Sequence, residues 1–430
     1  MQSDILNITQ ASPIDEAIEK YEWHEYESAA RTNLNSAGEI RINIETQDLF
    51  CHPAESYLLI EGRLVKGDGM NTAYANADAV AIANNGLMHL FSQLSYSLSN
   101  QDIETVFHPG QATTMLGLLK YPDDFAKAQG LNQLWCKDTA ATAVIADNAG
   151  FATRQAYLIR EPTTKGTFSF VVPLNHIFGF CEDYDKVVYG FKHTLTLVRK
   201  SDDDAIFRLA AADAGKIDVG KISWFMPHVT PSDMERMQLY KTIESKASVP
   251  VAYRGRQCDT ITVPQSSTFS WRLSVKTAPE KPRWIIVGFQ TDRGGDQEHN
   301  PSIFDHCNLK NMYVMMNQER YPAVDFDLSF PNQKFSRAYR DAATFSEKFY
   351  GMDQLITQSN ITPADYKDLF PLMVFDVSKQ SERLKSSVVD VQIKATFNAA
   401  VPADTQAYAV IISDKLLNFQ SDGQKMSVVY

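Results

Sequence analysis

The chain has few of the residues and patterns from which catalytic and metal sites are built. Its five cysteines, Cys51, Cys136, Cys181, Cys258 and Cys307, are odd in number, scattered, and form no Cys-x-x-Cys pair. They read as reduced core or surface thiols of a protein made in a reducing compartment. No apolar run approaches the ~18 residues of a membrane-spanning helix. The start, Met1-Gln2-Ser3-Asp4-Ile5, has neither the basic stretch nor the apolar region of a secretory signal, which argues against export by that route. No run of four basic residues occurs and the formal charge is −11. A direct, sequence-specific grip on nucleic acid needs clustered Lys and Arg and is not expected, although composition leaves a local basic patch open.

The motifs of site chemistry are equally scarce. Nine histidines include no His-x-His, no His-Glu-x-x-His and no His-His pair. His193 alternates with apolar strand residues and reads as a hydrogen-bonded core histidine rather than a ligand. Asp305-His306-Cys307 is the densest polar cluster, but neighbours on a strand point to opposite faces and cannot meet as a triad. Gly294-Gly295 lacks the remainder of a phosphate loop. Asp202-Asp203-Asp204 lacks the spacing of a calcium loop and reads as a solvated acidic loop. Asn7-Ile8-Thr9 and Asn360-Ile361-Thr362 match a glycosylation acceptor and are expected to be silent without export. Asp325 and Asp327, at i and i+2, are expected to share a strand face. They read as solvated or contact charges before they read as hydrolytic carboxylates. No catalytic, cofactor-binding or metal-binding residue is nominated, no cofactor is expected, and the chain reads as a non-enzyme.

What the sequence does contain is β periodicity. At 430 residues it exceeds one ordinary core, so two domains of about 200 residues are expected. Ile40, Ile42 and Ile44 alternate with polar neighbours, as do Phe168, Phe170 and Val172, and Phe191, His193, Leu195 and Leu197. Phe269, Trp271, Leu273 and Val275 repeat the pattern, followed by Val389, Val391, Ile393, Ala395 and Phe397. Trp284 to Phe289 and Ala407 to Ile412 read as fully buried strands. Helical signals are few: a capping box at Ser232 and Glu235 opening a helix to about Ile243, a segment from Ser336 to Phe349, and Thr362-Pro363. Residues 1–36 read as an arm. Pro13 would start a helix in it, with Ile14, Ile18, Tyr21 and Glu25 on one face. That helix would pack either on its own domain or on a neighbouring subunit. The domain junction is placed in Trp224–Pro231, where Pro227 and Pro231 are expected to interrupt regular structure. This divides the chain into an arm (1–36) and two β domains (37–231 and 232–430).

The two halves also share a phrase. Leu94 to Asp102 and Met312 to Arg320 are each a short apolar run closed by Asn-Gln-acid, and Asn317 stands 217 residues after Asn100. Each is preceded by a strand-like run ending near a glycine, Tyr57–Gly62 and Arg283–Gly288. Self-similarity at half the chain length predicts two copies of one fold.

Several stretches carry a resemblance to a known family. They are Phe50–Gly62, Asn84–Phe91 leading into Leu94–Glu104, then His108-Pro109-Gly110 read as a turn, and Pro173–Phe180. In the second half they are Lys281–Thr291, Phe304–Pro322 and Phe375–Gln380. In this order, over about residues 38–420, the chain resembles the double jelly-roll major capsid proteins of icosahedral DNA viruses. The resemblance is greatest toward those of Polinton-like, adintovirus-like elements. It implies an all-β fold of two tandem eight-stranded jelly rolls with a few short helices. It also implies a homotrimeric, pseudo-hexameric capsomer that tiles a shell, with penton and minor capsid proteins, and in some cases an internal membrane, as neighbours. Synthesis would be in the host cytoplasm, assembly there or in the nucleus, and the final location the virion. The loops 123–166 and 292–303 would form an outer tower or line trimer contacts, and the arm would lie at the inner base. The competing reading is a two-domain jelly-roll carbohydrate-binding protein, which needs exposed aromatic platforms or a calcium site.

Overall fold

A computed structural model describes residues 17–28, 33–160, 165–274, 280–352, 361–379, 389–421 and 426–429. Pro13, Ile14, Val275, Gln380 and the acceptor asparagines Asn7 and Asn360 lie outside the described residues.

Among the described residues, sixteen strands build two sandwiches. The first contains β1 (Ile18–Glu27), β2 (Gly38–Ile44), β3 (Tyr57–Lys66), β4 (Phe91–Leu98), β5 (Gln101–Phe107), β6 (Thr167–Pro173), β7 (His193–Arg199) and β8 (Gly215–Pro231). The second contains β9 (Ser248–Thr262), β10 (Thr268–Leu273), β11 (Lys281–Thr291), β12 (Leu309–Met316), β13 (Glu319–Tyr321), β14 (Met373–Asp376), β15 (Val391–Phe397) and β16 (Thr405–Ser421). Every pairing among them is antiparallel. The first sandwich has sheets ordered β1-β8-β3-β6 and β2-β7-β4-β5. The second has β9-β16-β11-β14 and β10-β15-β12-β13. Adding eight to each label converts one sandwich into the other. Short strands extend the outer sheets, Phe50–Cys51 and Val188–Tyr189 in the first and Met426–Val429 in the second.

The alternating sequences produce the layers directly. Ile40, Ile42 and Ile44 of β2 point inward and pair in register with Leu197, Leu195 and His193 of β7, all buried, while Arg41 and Thr194 face outward. The shared Asn-Gln-acid phrase forms the same hairpin in each sandwich. It turns β4 into β5 at Ser99 and Asn100 (φ 47° and 69°), and β12 into β13 at Asn317 (φ 52°). Asparagine tolerates this left-handed backbone because its short polar side chain can bond locally.

Five expectations are corrected. The segment expected as a helix in the arm is strand β1, whose backbone pairs with β8 from Ile18↔Pro231 to Glu27↔Ser223. Tertiary pairing along a free sheet edge overrides a helical spacing held by only four positions. Pro227 does not interrupt regular structure, because β8 runs through it and ends at Pro231. The chain leaves the sheet only at Ser232 and crosses to β9 by an exposed helix (Asp233–Glu244) that has no buried residue. Ser232 stands at its N-cap but makes no side-chain cap bond, whereas Thr362 and Asp365 form the full reciprocal box at the helix Pro363–Asp368. His108-Pro109-Gly110 is not a simple turn. Pro109 opens a twelve-residue helix, Pro109–Lys120, buried on every side, so it lacks the polar stripe by which a surface helix is recognised. The segment from Ser336 forms two helices, Ser336–Ala343 and Phe345–Tyr350.

Candidate functional site, the seam between the two sandwiches

The polar clusters singled out in the sequence each disperse onto separate partners. His193 is buried, and its Nδ1 lies 2.7 Å from the Tyr96 hydroxyl. Burial pushes its pKa down to about 3, so the ring is neutral. Asp305 takes Arg293 at 2.6 Å and the Thr291 amide. His306 stacks on Phe330 at 4.6 Å and its Nδ1 accepts the Asn308 N–H. The Cys307 thiol is pushed up to about 11 by burial, which leaves it a poor nucleophile. Among the described residues no group of His, Cys, Asp and Glu could hold a metal ion.

Two readings change. Asp325 and Asp327 do not share a strand face, because Val324–Asp327 is loop and Asp327 has φ 49°. Asp325 is engaged by Arg320 and by the Asn311 amide at 2.8 Å. Asp202-Asp203-Asp204 is not a solvated loop. Asp202 holds Arg199 and the Ile217 N–H, Asp203 accepts from Gln297 at 2.9 Å, and Asp204 holds Lys200 at 2.6 Å and accepts the Gly295 N–H at 2.7 Å. Gln297 and Gly295 belong to the second sandwich, so this acidic run clips the two together. Gln297 also reads both backbone groups of Gly215, at 2.7 and 2.9 Å. Ser302 donates to the Asn84 carbonyl at 2.6 Å. The loop 292–303, expected as tower or trimer lining, thus packs on its own chain's first sandwich.

The densest assembly of charge lies deeper along this seam. β9 presents Arg254 and Arg256 to the first sandwich. Glu104 of β5 is buried and accepts three backbone N–H bonds, from Gly179 (3.1 Å), Phe180 (2.9 Å) and, across the seam, Arg256 (2.6 Å). The Arg256 guanidinium donates to Glu182 and to the His176 carbonyl at 2.8 Å. Glu182 also takes the Lys120 ammonium and, at 2.7 Å, the Tyr350 hydroxyl. Asp183 accepts from Arg254 through its backbone N–H (2.7 Å) and its Nε (2.9 Å). Phe349 covers that guanidinium at 3.8 Å.

The energetics follow from burial. Desolvation would raise the pKa of Glu182, but Arg256 and Lys120 outweigh it and hold the carboxyl well below its usual range. Desolvation, reinforced by Arg256, pushes Lys120 down to about 7 against the pull of Glu182. Burial raises Glu104 despite Arg256 and its amide donors. Such groups are tolerated only while each keeps its partners. Around them the seam is apolar. The Tyr253 hydroxyl donates to the Ile103 carbonyl at 2.8 Å while its ring meets Phe180, and Phe419 packs on Tyr184 and Phe191. At Gly179 a Cβ would stand 1.8 Å from the Arg254 carbonyl oxygen, so only glycine allows this approach. The arrangement offers no open nucleophile or acid–base pair; it fuses two sandwiches into one rigid body. Sequence reasoning missed it because Glu104 looks like any strand acid, and its partners lie 75 to 152 residues away.

One open surface also stands out. Trp23, Tyr57, Glu55, Gln133 and Asn175 line a groove of about 360 Å³ on the outer face of the first sandwich. There Trp23 leans on Tyr57 at 5.1 Å and Tyr57 stacks on Phe225 at 5.0 Å.

Residues 80–417 match the family described as the double jelly roll-like domain. A search of curated protein sequences finds no match. Solved structures are similar over nearly the whole chain. The Sputnik virophage structure aligns at TM-score 0.62 and 11% identity, covering 98% of this chain and 91% of that one. The capsid of the virus PBCV-1 aligns at 0.56 and 11%, covering 98% and 99%. The mavirus major capsid protein aligns at 0.55 and 12%, covering 99% and 93%. At such identities the likeness is one of fold.

Proposed function

Because this chain belongs to the double jelly roll-like domain family, we propose that it is a major capsid protein with a structural, non-enzymatic role. Three copies form a pseudo-hexameric capsomer, and capsomers tile an icosahedral shell of a DNA virus or element of the Polinton-like branch. The observation that carries this reading is the internal repeat locked across a buried seam. Two like rolls held rigidly in one chain give a cyclic trimer six like units, the number a hexagonal lattice needs. The capsid structures that share the fold support it. The two rolls are taken as the units on either side of Pro231, with β1 counted in the first. Penton and minor capsid proteins are the partners at the lattice's edges and inner face, and the virion is the location.

Light scattering behind a sizing column tests this. A particle near three times 48.3 kDa, or larger shells visible by electron microscopy, is the expected result. A strict monomer at micromolar concentration in near-physiological salt refutes the capsomer. The carbohydrate-binding reading is favoured by the exposed rings and amides of the Trp23 groove. It predicts glycan-array binding by a stable monomer.

A further inference from the structure

We propose that β1 is an acid-released strap on the first roll, latched at neutral pH by the stacked imidazoles of His24 on β1 and His228 on β8 and let go when those rings take up protons. The latch lies within one chain and does not depend on the capsomer reading.

The strand register builds it. β1 pairs with β8 at Glu22↔His228, His24↔Met226 and Tyr26↔Trp224, so these six side chains share the face turned toward the sandwich interior, where Met226 and Trp224 are fully buried. His24 and His228 are diagonal neighbours on that face. Their rings stack at 4.1 Å with 18° between the planes, and the Tyr26 hydroxyl lies 3.0 Å from His228 Nε2. On the opposite face of β1 the Tyr21 hydroxyl lies 3.1 Å from His52 Nδ1, while His52 Nε2 meets Asp185 at 2.7 Å. A neutral imidazole can accept the O–H in each case; a protonated one has two N–H donors and no acceptor. Two protonated rings in the stack would also set like charges face to face.

The strand has little else to hold it. None of its ten residues is buried. Beside the backbone ladder, Trp23 leans on Tyr57, Lys221 holds Glu25 at 2.6 Å and Glu27 at 3.4 Å, and Ser223 donates to Glu27. A strand with few buried apolar contacts opens separately from the core around it. The titratable groups around the stack are Glu22, with its partner Lys20, and Tyr26 from β1, Cys51 from the short strand paired with His228, and His193 from β7, whose Nε2 has no partner among the described residues. Tyr26 and Cys51 stay neutral, both pushed up to about 12 by burial. Glu22 favours a charged His228, but burial, and then His24, outweigh it and push the ring down to about 4. Glu22 and Glu25 are lowered by their bonds to Lys20 and Lys221, so between pH 7 and pH 5 the imidazoles titrate and these two acids do not. Because the docked ring has the depressed pKa, the released strand takes up the proton first and acid favours release. With His228 at about 4 when covered and about 6.5 when free, opening of β1 rises about 20-fold from pH 7 to pH 5.

Amide hydrogen exchange of the full chain tests this, read by mass spectrometry on a peptide spanning residues 18–27 and corrected for the intrinsic effect of pH on exchange. Opening of β1 should rise at least tenfold from pH 7 to pH 5, while peptides of β4 and β11 change less than twofold. His228→Phe keeps a ring in the stack but nothing to titrate, and should hold the β1 ratio under threefold. His24→Phe, at an exposed position, should cut the ratio at least twofold and decides the matter should His228→Phe fail to fold. A wild-type ratio under threefold, or variants that keep the full wild-type ratio, overturns the latch. Opening of β4 together with β1 would be unfolding of the whole roll, which also overturns it.

Discussion

Replacing Arg256 by methionine probes the seam at its centre. The side chain is nearly fully buried, so methionine retains most of the packing and removes only the charge and its donors. The guanidinium makes three hydrogen bonds, to Glu182, to the His176 carbonyl and, at 3.3 Å, to the Asn175 carbonyl. Bonds to charged groups contribute about 1.5–3 kcal/mol each. The desolvation recovered on removing one buried cation offsets part of the sum, and breaking a buried pair by deleting one partner costs about 3–5 kcal/mol. Arg256→Met is therefore expected to destabilise the fold by about 4 kcal/mol. The measurement is urea unfolding at fixed protein concentration, since assembly ties stability to concentration. The loss also has a pH signature. Arg256 is the leading charge that holds down both Glu104 and Glu182. Without it their folded-state pKa values rise, the folded variant binds more protons than folded wild type, and its stability relative to wild type falls as pH rises. The gap to wild type should be wider at pH 7.5 than at pH 5, and Glu182→Gln in the same chain should recover part of it. A loss under about 1 kcal/mol, or a gap independent of pH, would refute the view that this cation neutralises the buried acids.

Gly179→Ala should cost about 3 kcal/mol in the same assay, because its Cβ would overlap the Arg254 carbonyl across the seam; an unchanged midpoint would mean the rolls part without cost. Acid should unfold the protein from about pH 6.5 downward. His193 and His89 are both held neutral by burial, each pushed down to about 3. Because the folded pKa values are depressed, the unfolded chain takes up protons first, and each ring removes roughly 2–3 kcal/mol between pH 6.5 and 4.5. Burial also pushes His176 and His228 down to about 4, so His193→Gln should flatten that slope by about a quarter, and an unaltered slope would contradict the assignment. All five cysteines are free. Thiol titration of native protein should label Cys136, the half-buried one, first, while Cys51, Cys181 and Cys258 react only on unfolding; fast reaction of all five would contradict their burial.

The readable parts of the fold are those set by local chemistry. Strands with a two-residue period, such as Ile40-Ile42-Ile44 and Leu195-Leu197, announce which face is wet. The Asn-Gln-acid phrase announces the repeat, and the structure shows it as the same left-handed hairpin turn in both rolls. Thr362 and Asp365 cap their helix through partners three residues apart. The misread parts are those where a distant partner decides. β1 is a strand because the edge of β8 is there to pair with it, and its own spacing fits a helix as well. The helix Pro109–Lys120 is buried all round and so carries no amphipathic stripe. Asp202 to Asp204 looks like a solvated loop until Gln297 and Gly295 arrive from the other roll.

Sequence alone determined that this protein is two copies of one β architecture with reduced thiols and no local catalytic motif, because periodicity, turn chemistry and repetition are written within a few residues of each position. Only the tertiary structure decided how the copies join. The cost of burying Glu104, Lys120, Glu182 and Arg256 is met by donors and acceptors up to 168 residues apart.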